Sequence, residues 1–345
     1  MERRNIKNLS LDELAAYFAA LGEPRHRTRQ VLQWLYQKGA GTFAEMTNLP
    51  LPLRGALDGS FVIPSFDAIE CVRSKDDDSR KFLLACDDGN FVEAVLIESG
   101  GHRTVCISSQ IGCPLRCSFC RTGSGGFIRD LRSDEMLDQV LFFKKGYLPP
   151  RKRFNIVFMG MGEPLLNLPN LTRALEILNA EDAFALREKR ITVSTIGSPD
   201  MITQLAGSNL SFGLAISLNA TTNRVRRKLM PGVFDLFETL DAGASFAVRR
   251  KTRVTLEYVL IDGVNDSDED ASRLAAMTAG RPFKINLIPF NEWEGSPFRT
   301  PPQGRLDHFI GLLLPGTPAV TVRRSRGRDI NAACGQLRAR MIDDG

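Results

Sequence analysis

Strand-like and helix-like stretches alternate six times between residues 103 and 325, and this alternation predicts an α/β protein with a parallel sheet and helices outside it. Two flanking observations complete the outline. Residues 1–60 carry helical periodicity, and 61–102 hold two strand-like runs about a turn, so a small helical N-terminal domain and a β-hairpin linker precede the core of 103–325. A polar, glycine-containing tail, 326–345, follows it. With 345 residues, 43% hydrophobic and 25% charged, the chain can bury one large core and carry a smaller appended domain.

In chain order, residues 10–20 place Leu11, Leu14, Ala15 and Phe18 on one helical face, with Ser10 as cap before Asp12 and Glu13. A second helix over 25–38 turns Val31, Leu32, Trp34 and Leu35 inward and stops at Gly39. Its Arg25, Arg27 and Arg29 suit phosphate contacts and a solvated face equally. Pro50 and Pro52 mark a linker, and Asp76 to Asp78 a solvated turn. Residues 81–86 and 91–97 form the hairpin around Asp87-Asp88-Gly89-Asn90. Glu93 lies inside its second strand, where a lone carboxylate ordinarily faces water, while Cys71 and Cys86 read as packing. The core strands fall at 104–109, 155–159, 190–195, 212–217, 252–260 and 284–288, with a further one near 319–323. The helices between them fall near 133–146, 168–179, 199–207, 234–246, 266–279 and 304–314.

The net charge of +5 suits a polyanionic partner without demanding one. No signal-peptide core and no run of eighteen apolar residues is present, so a cytoplasmic protein without membrane attachment is expected. Seven cysteines, an odd number, fit a reducing compartment better than a disulfide scaffold.

Three of these cysteines sit in one short loop, Cys113-Pro-Leu-Arg-Cys117-Ser-Phe-Cys120. Spaced four and then three apart, they can curl round one centre, and three thiolates on a four-iron cubane leave one iron open to a small ligand. Structural zinc wants a fourth ligand, and the nearest histidine, His102, has no paired ligand beside it. Three buried, unliganded cysteines are the plain alternative, ill served by Arg116 and the Pro114 turn. The other candidates cluster too. The cysteine loop follows the first core strand, Gly162-Glu163-Pro164 the second, Ser194 ends the third, Asn219 follows the fourth and Asn291 the sixth. In a parallel barrel these C-terminal strand ends share one face.

Cys-x-x-x-Cys-x-x-Cys after a strand resembles the radical S-adenosylmethionine enzymes. Cys106-Ile-Ser-Ser-Gln-Ile-Gly-Cys113, Phe158-Met-Gly-Met-Gly-Glu-Pro164 and Asp329-Ile-Asn-Ala-Ala-Cys-Gly-Gln336 are similar to the RlmN-type RNA methyltransferases, from about residue 25 to the end. The resemblance implies a partial (β/α)6 barrel. It also implies a [4Fe-4S] cluster on Cys113, Cys117 and Cys120, and two molecules of S-adenosylmethionine per turnover. Gly162, Glu163, Ser194, Ser217, Leu218, Asn219 and Asn291 would then bind S-adenosylmethionine, with Glu163 on its amino group. Asn219 departs from the family, which commonly has His after Ser-Leu, and Asn cannot carry a charge.

The reaction so implied is methylation of adenine carbon 2 in 23S ribosomal RNA and transfer RNA. Cys334 takes a methyl group, a 5′-deoxyadenosyl radical removes a hydrogen from it, and the methylene radical adds to adenine. Cys106 then attacks the Cys334 sulfur to release the product as a disulfide forms, with Glu93 assigned as proton acceptor. An electron donor such as flavodoxin, and a monomer, complete the expectation. Basic runs at 144–145, 151–153, 224–228, 249–253 and 323–328 offer phosphate contacts, the last leading into the Cys334 tail. Two competing readings are a sister carbon-8 adenine methyltransferase and a non-enzymatic RNA-binding module built round a structural metal.

Overall fold

The structure, a computed structural model, describes residues 3–149, 153–317 and 319–337. Its N-terminal unit begins with β1 (Arg4–Asn5) and α1 (Leu11–Ala20), where Ser10 and Glu13 form a reciprocal capping box. α2 (His26–Leu32) widens into a π turn over Gln33–Lys38, and Gly39 ends it at a φ of 71°. The stretch expected as a linker at Pro50 and Pro52 is instead the start of α3 (Leu51–Ser60). Both prolines fall before or within the first turn, where a helix has no N–H bond to lose, and Leu53 and Leu57 bury its inner face. β2 (Phe61–Val62) then pairs in parallel with β1.

A ten-stranded sheet dominates the rest. β3 (Ala68–Arg73), β4 (Arg80–Ala85), β5 (Phe91–Ser99) and β6 (His102–Ile107) form an antiparallel meander. The hairpin of the sequence reading is present as β4 and β5. β3 went unread because it is an edge strand, almost wholly exposed, with no alternating apolar face. β5 bonds directly to β6, the first parallel strand, so the hairpin continues the main sheet. β7 (Gln110–Gly112), α4 (Arg121–Ser124) and β8 (Phe127–Asp130) follow, and the antiparallel β7–β8 pair brackets the cysteine loop.

Regular alternation then sets in: α5 (Ser133–Gly146), β9 (Phe154–Phe158), α6 (Leu168–Asn179), β10 (Ile191–Thr195), α7 (Pro199–Ala206) and β11 (Gly213–Ser217). α8 (Asn223–Leu229) and α9 (Leu236–Arg250) lead to β12 (Val254–Leu260), α10 (Asp268–Thr278), β13 (Phe283–Pro289), α11 (Gln303–Leu313) and β14 (Val320–Val322). From β6 through β9 to β14 every pairing is parallel and in chain order, the partial barrel of the sequence reading with its further strand. α8 is an addition, hidden in sequence by its dense charge.

Strand alternation gives the barrel two unlike faces. Ile156, Phe158, Ile191 and Val193 point outward into the buried layer beneath the helices. Val157, Thr192, Ala215, Thr255, Glu257 and Asn286 line a lumen of about 1230 Å³ on the other face. These small and polar side chains leave the lumen unfilled. Among the described residues no helix is long and apolar enough to cross a membrane.

Candidate active site

The cysteine loop is braced from three sides. Gly112, at φ 78°, lies so close to the Gly126 carbonyl that a Cβ would sit 2.1 Å from its oxygen. Ser118 N–H donates to Leu229 O of α8 at 2.8 Å, and Trp293 Nε1 to Phe119 O at 3.2 Å. Cys113 is buried, Cys117 and Cys120 half-buried, and each of the three thiols is pushed up by burial, Cys113 to about 12. Charge on Cys120 further raises Cys113 and Cys117, so the three thiols lie near one another. N–H groups of Leu115, and of Thr122 and Gly123, donate to the Cys113 and Cys120 sulfurs, the arrangement that stabilises cluster thiolates. No three Cys, His, Asp or Glu side chains among the described residues converge on a single-ion site. A cubane takes one thiolate on each of three irons, and three cysteines on one short loop are the donor set it asks for. His102, at the start of β6, is exposed at the opposite strand end.

Behind the loop, Gly160 and Gly162 bring the end of β9 against β6 and β7. A Cβ on Gly160 would meet Ser108 Oγ at 2.5 Å, and one on Gly162, at φ 101°, would meet Gln110 Cβ at 2.6 Å. The close approach these glycines permit is therefore to the protein's own backbone. Glu163, held by it, is buried and accepts from Ile196 N–H at 2.9 Å and Leu165 N–H at 3.1 Å. Burial pushes its carboxyl up to about 7, against the Thr195 side chain and those two N–H groups. Its charge raises Cys113 and Cys117, and so it stands beside the three-sulfur centre.

The remaining candidates differ in what they do. Ser194 Oγ donates to Glu257 Oε2 at 2.9 Å, and Ser217 is half-buried next to it in the sheet, its backbone in register with Glu257. Leu218 is fully buried and its carbonyl accepts from Arg226 Nε at 3.1 Å. Asn219 holds a left-handed φ of 57°, which Asn tolerates well. Its Oδ1 accepts from Val259 N–H at 2.9 Å and its Nδ2 faces Met230 Sδ at 3.4 Å, so its amide is engaged within the protein. Asn291 Nδ2 donates to Ser325 Oγ at 2.9 Å and to the Cys334 carbonyl at 3.1 Å, which makes it an anchor of the tail.

That tail crosses the open side of the barrel. Asp329 accepts from Ser74 Oγ and Lys75 N–H, and Gly327 N–H donates to Asp77, tying the segment after β14 to the turn between β3 and β4. Arg121 N–H then donates to Gly335 O at 2.7 Å, and Gln336 Nε2 to Glu292 O at 2.7 Å. Cys334 is thus carried between the cysteine loop and the lumen, where its charge bears on both Cys120 and Cys106. Cys106 is buried on β6, its sulfur accepts from Met159 N–H, and burial followed by the Cys334 charge pushes its thiol up to about 12. Glu93, expected to face water, is buried and paired with Lys81 at 3.0 Å, because its strand face is the lumen face it shares with Ile97.

Sequence reasoning missed Glu257, whose charge bears on Cys106, and Arg323, which interacts with both cysteines of the pair. Arg323 is held above its ordinary value first by the charge of Cys334, then by Glu257 and Cys106. Alternation along β12 puts Glu257 on the face of Thr255 and Val259, a polar signal in an apolar strand that could have been read. Arg323 was read only as one of a basic run. The other runs divide similarly: Arg226 is fully buried and Arg250 donates to the carbonyls of Ser208 and Leu210, while Arg27 and Arg29 pair with Glu23 and Asp182. Arg151 and Lys152, with 338–345 of the tail, lie outside the described residues.

Similarity to known proteins extends over nearly the whole chain. Residues 4–63 match the N-terminal domain family of ribosomal RNA large subunit methyltransferases, and residues 107–275 match the radical SAM superfamily. A dual-specificity RNA methyltransferase RlmN of Geotalea uraniireducens is 45% identical over 343 residues, covering 99% of this chain and 98% of the relative. Another of the same description from Geobacter sulfurreducens is 45% identical over 342 residues, covering 98% and 92%. A crystal structure of a radical SAM methyltransferase from Sphaerobacter thermophilus superposes with a TM-score of 0.90 at 39% identity, covering 98% of this chain and 100% of that one.

Proposed function

The chain belongs to the RlmN family of radical SAM RNA methyltransferases, and on that footing we propose that it methylates carbon 2 of adenine in 23S ribosomal RNA and transfer RNA by way of S-methylated Cys334. The observation that carries this reading is the station of Cys334 between two other sulfur sites, the loop of Cys113, Cys117 and Cys120 on one side and Cys106 on the other. A thiol so placed can receive a methyl group at one side and surrender its sulfur to a second thiol at the other. A carbon-8 enzyme would use the same thiols, and the RlmN relatives favour carbon 2.

When bound on Cys113, Cys117 and Cys120, the cluster supplies an electron to S-adenosylmethionine, which provides both a methyl group and a hydrogen-abstracting carbon radical. Glu163 accepts a hydrogen bond from the amino group of that ligand on its buried carboxylate, with Gly162, Ser194, Ser217, Leu218, Asn219 and Asn291 forming the surrounding wall. Asn219 contributes through its turn, since its amide is engaged elsewhere. Cys334 loses its proton and its Sγ accepts the methyl group of one S-adenosylmethionine, whose sulfonium–methyl bond breaks as the neutral thioether S-adenosylhomocysteine leaves. Removal of one hydrogen leaves a methylene radical on that sulfur, and its carbon bonds to adenine carbon 2. The adduct then gives up one proton to Glu93, whose charge Lys81 balances, and one electron to the oxidised cluster held on Cys113, Cys117 and Cys120. Cys106 Sγ attacks Cys334 Sγ, the carbon–sulfur electron pair leaves with the methylated base as it takes up a proton, and a disulfide remains for a cellular dithiol to reduce. Arg323 supplies a positive charge beside both sulfurs during this exchange.

The target adenine enters the lumen flipped out of its stack, as base-modifying enzymes require. The protein acts in the cytoplasm as a monomer, and an electron carrier such as flavodoxin reduces it. Replacing Cys106 by Ala is expected to leave RNA covalently attached to the protein, and replacing Cys334 by Ala to give neither protein methyl nor adduct. Denaturing gels with labelled RNA and mass spectrometry of its adenosines read both. Normal 2-methyladenosine formation by Cys106→Ala protein would refute the assignment.

A further inference from the structure

A second large recess lies away from the sulfur sites. It has a volume of about 1370 Å³ and runs between the end of α2 and its π turn, the C-terminal end of α5, the start of β9 and the turn before β10. Among the described residues that line it, seven are Lys or Arg and only one, Glu188, is acidic. Glu188 accepts from Thr252 Oγ1 and so is turned to its own hydrogen bond.

The cations do not all serve the fold. Lys144 donates to the carbonyls of Tyr36 and Gln37, Arg187 pairs with Glu181 at 2.9 Å, and Arg190 donates to Asn155 Oδ1 at 3.0 Å. Lys145, Arg153 and Lys189 are exposed and have no ion pair among the described residues. Lys144 is half-buried with no carboxylate acting on it, and burial pushes it down to about 8, so an anion arriving here would relieve a real cost.

Cations from four separate elements spaced along a groove suit a chain of phosphates, whereas a single phosphate wants donors converging on one point. The groove is also at the right end of the molecule. It opens at the N-terminal ends of β9 and β10, and the lumen reaches the same end through Thr192, Thr255 and Lys284. Resting on the RNA reading above, we propose that this groove grips the sugar-phosphate backbone of the substrate RNA next to the flipped adenine, with Lys145, Arg153 and Lys189 as its free phosphate ligands.

The test uses cluster-loaded enzyme and a fluorescent RNA stem–loop, with binding measured across a range of salt. Lys145→Glu with Lys189→Glu is compared with Arg227→Glu and Lys228→Glu, an equal charge change on exposed residues of α8 at the cluster end. The groove pair is expected to lose at least about tenfold in affinity near 0.1 M salt, with a salt slope shallower by about one to two. The control pair is expected to stay within about twofold, and both proteins should keep the parental melting temperature. Unchanged binding by the groove pair, or an equal loss in both pairs, would overturn the proposal. If parental enzyme binds RNA but forms no 2-methyladenosine, the reaction reading fails and the groove is still judged by its salt slope; if methylation proceeds and groove reversals change nothing, only the groove fails.

Discussion

Two opposed pH dependences meet at Glu163. Its carboxyl is raised to about 7 by burial, above its value in the unfolded chain, so its own contribution to stability is fullest in acid and is lost as pH rises through about 7. An amino group that donates to this carboxylate needs its ionised form, and the ligand's affinity therefore runs the other way. Cluster-loaded enzyme is expected to bind S-adenosylmethionine more weakly on acidification below pH 7, by up to about tenfold per unit, and Glu163→Gln should flatten that profile. Calorimetric titration at several pH values decides it, and a profile unchanged by Glu163→Gln would remove the carboxylate from the site. At this scale the sequence was most legible where spacing itself is the signal, as in Cys113, Cys117 and Cys120. Arg323 was not, and Glu257 stood out only as a polar position in an apolar strand, because each finds its partners on other strands, 63 residues away for Ser194 and Glu257.

Among elements, α8 shows how a run of like charges conceals a fold. Residues 224–228 read as cationic surface, yet a helix of 3.6 residues per turn directs one of them inward. Arg226 donates to Leu218 O at 3.1 Å, Phe234 O at 2.6 Å and Ile196 O at 2.7 Å, and so fastens the loops after β10 and β11. Burial lowers it to about 10, with Asp235 opposing. Met at this position would leave three carbonyls without their donor, each costing about 1–3 kcal/mol if it stays dry. Arg226→Met is thus expected to melt at least several degrees lower, while Arg227→Met on the exposed face stays within about 0.5 kcal/mol of the parent. Equal melting temperatures would show that the loops hold themselves. α3 was lost to a different ambiguity, since proline breaks a helix interior but begins a helix well.

For the whole molecule, what joins the N-terminal unit to the barrel was the least legible feature, being made of residues more than a hundred positions apart. Lys7 Nζ meets Asp138 of α5 and the Pro64 carbonyl, and Asn5 Nδ2 donates to Asp134 at 2.6 Å. Lys7 and Asp138 are both buried; burial pushes the Asp138 carboxyl up and the Lys7 charge opposes it. Deleting the first sixty residues would uncover this carboxylate, so loss of RNA binding by such a truncation would not isolate any role of the unit. A double-mutant cycle does. Lys7→Met alone is expected to cost about 3–5 kcal/mol by stranding a buried charge, and adding Asp138→Leu to recover most of it. The unit also forms one wall of the basic groove, through Lys38 and its neighbours. Lys7→Met should then weaken RNA binding by loosening that wall while every groove cation remains, with faster hydrogen exchange in α1 to α3 as the sign of the motion. Recovery of both affinity and exchange protection in the double variant would tie RNA grip to docking, whereas affinity that ignores the cycle would locate the grip on the barrel alone.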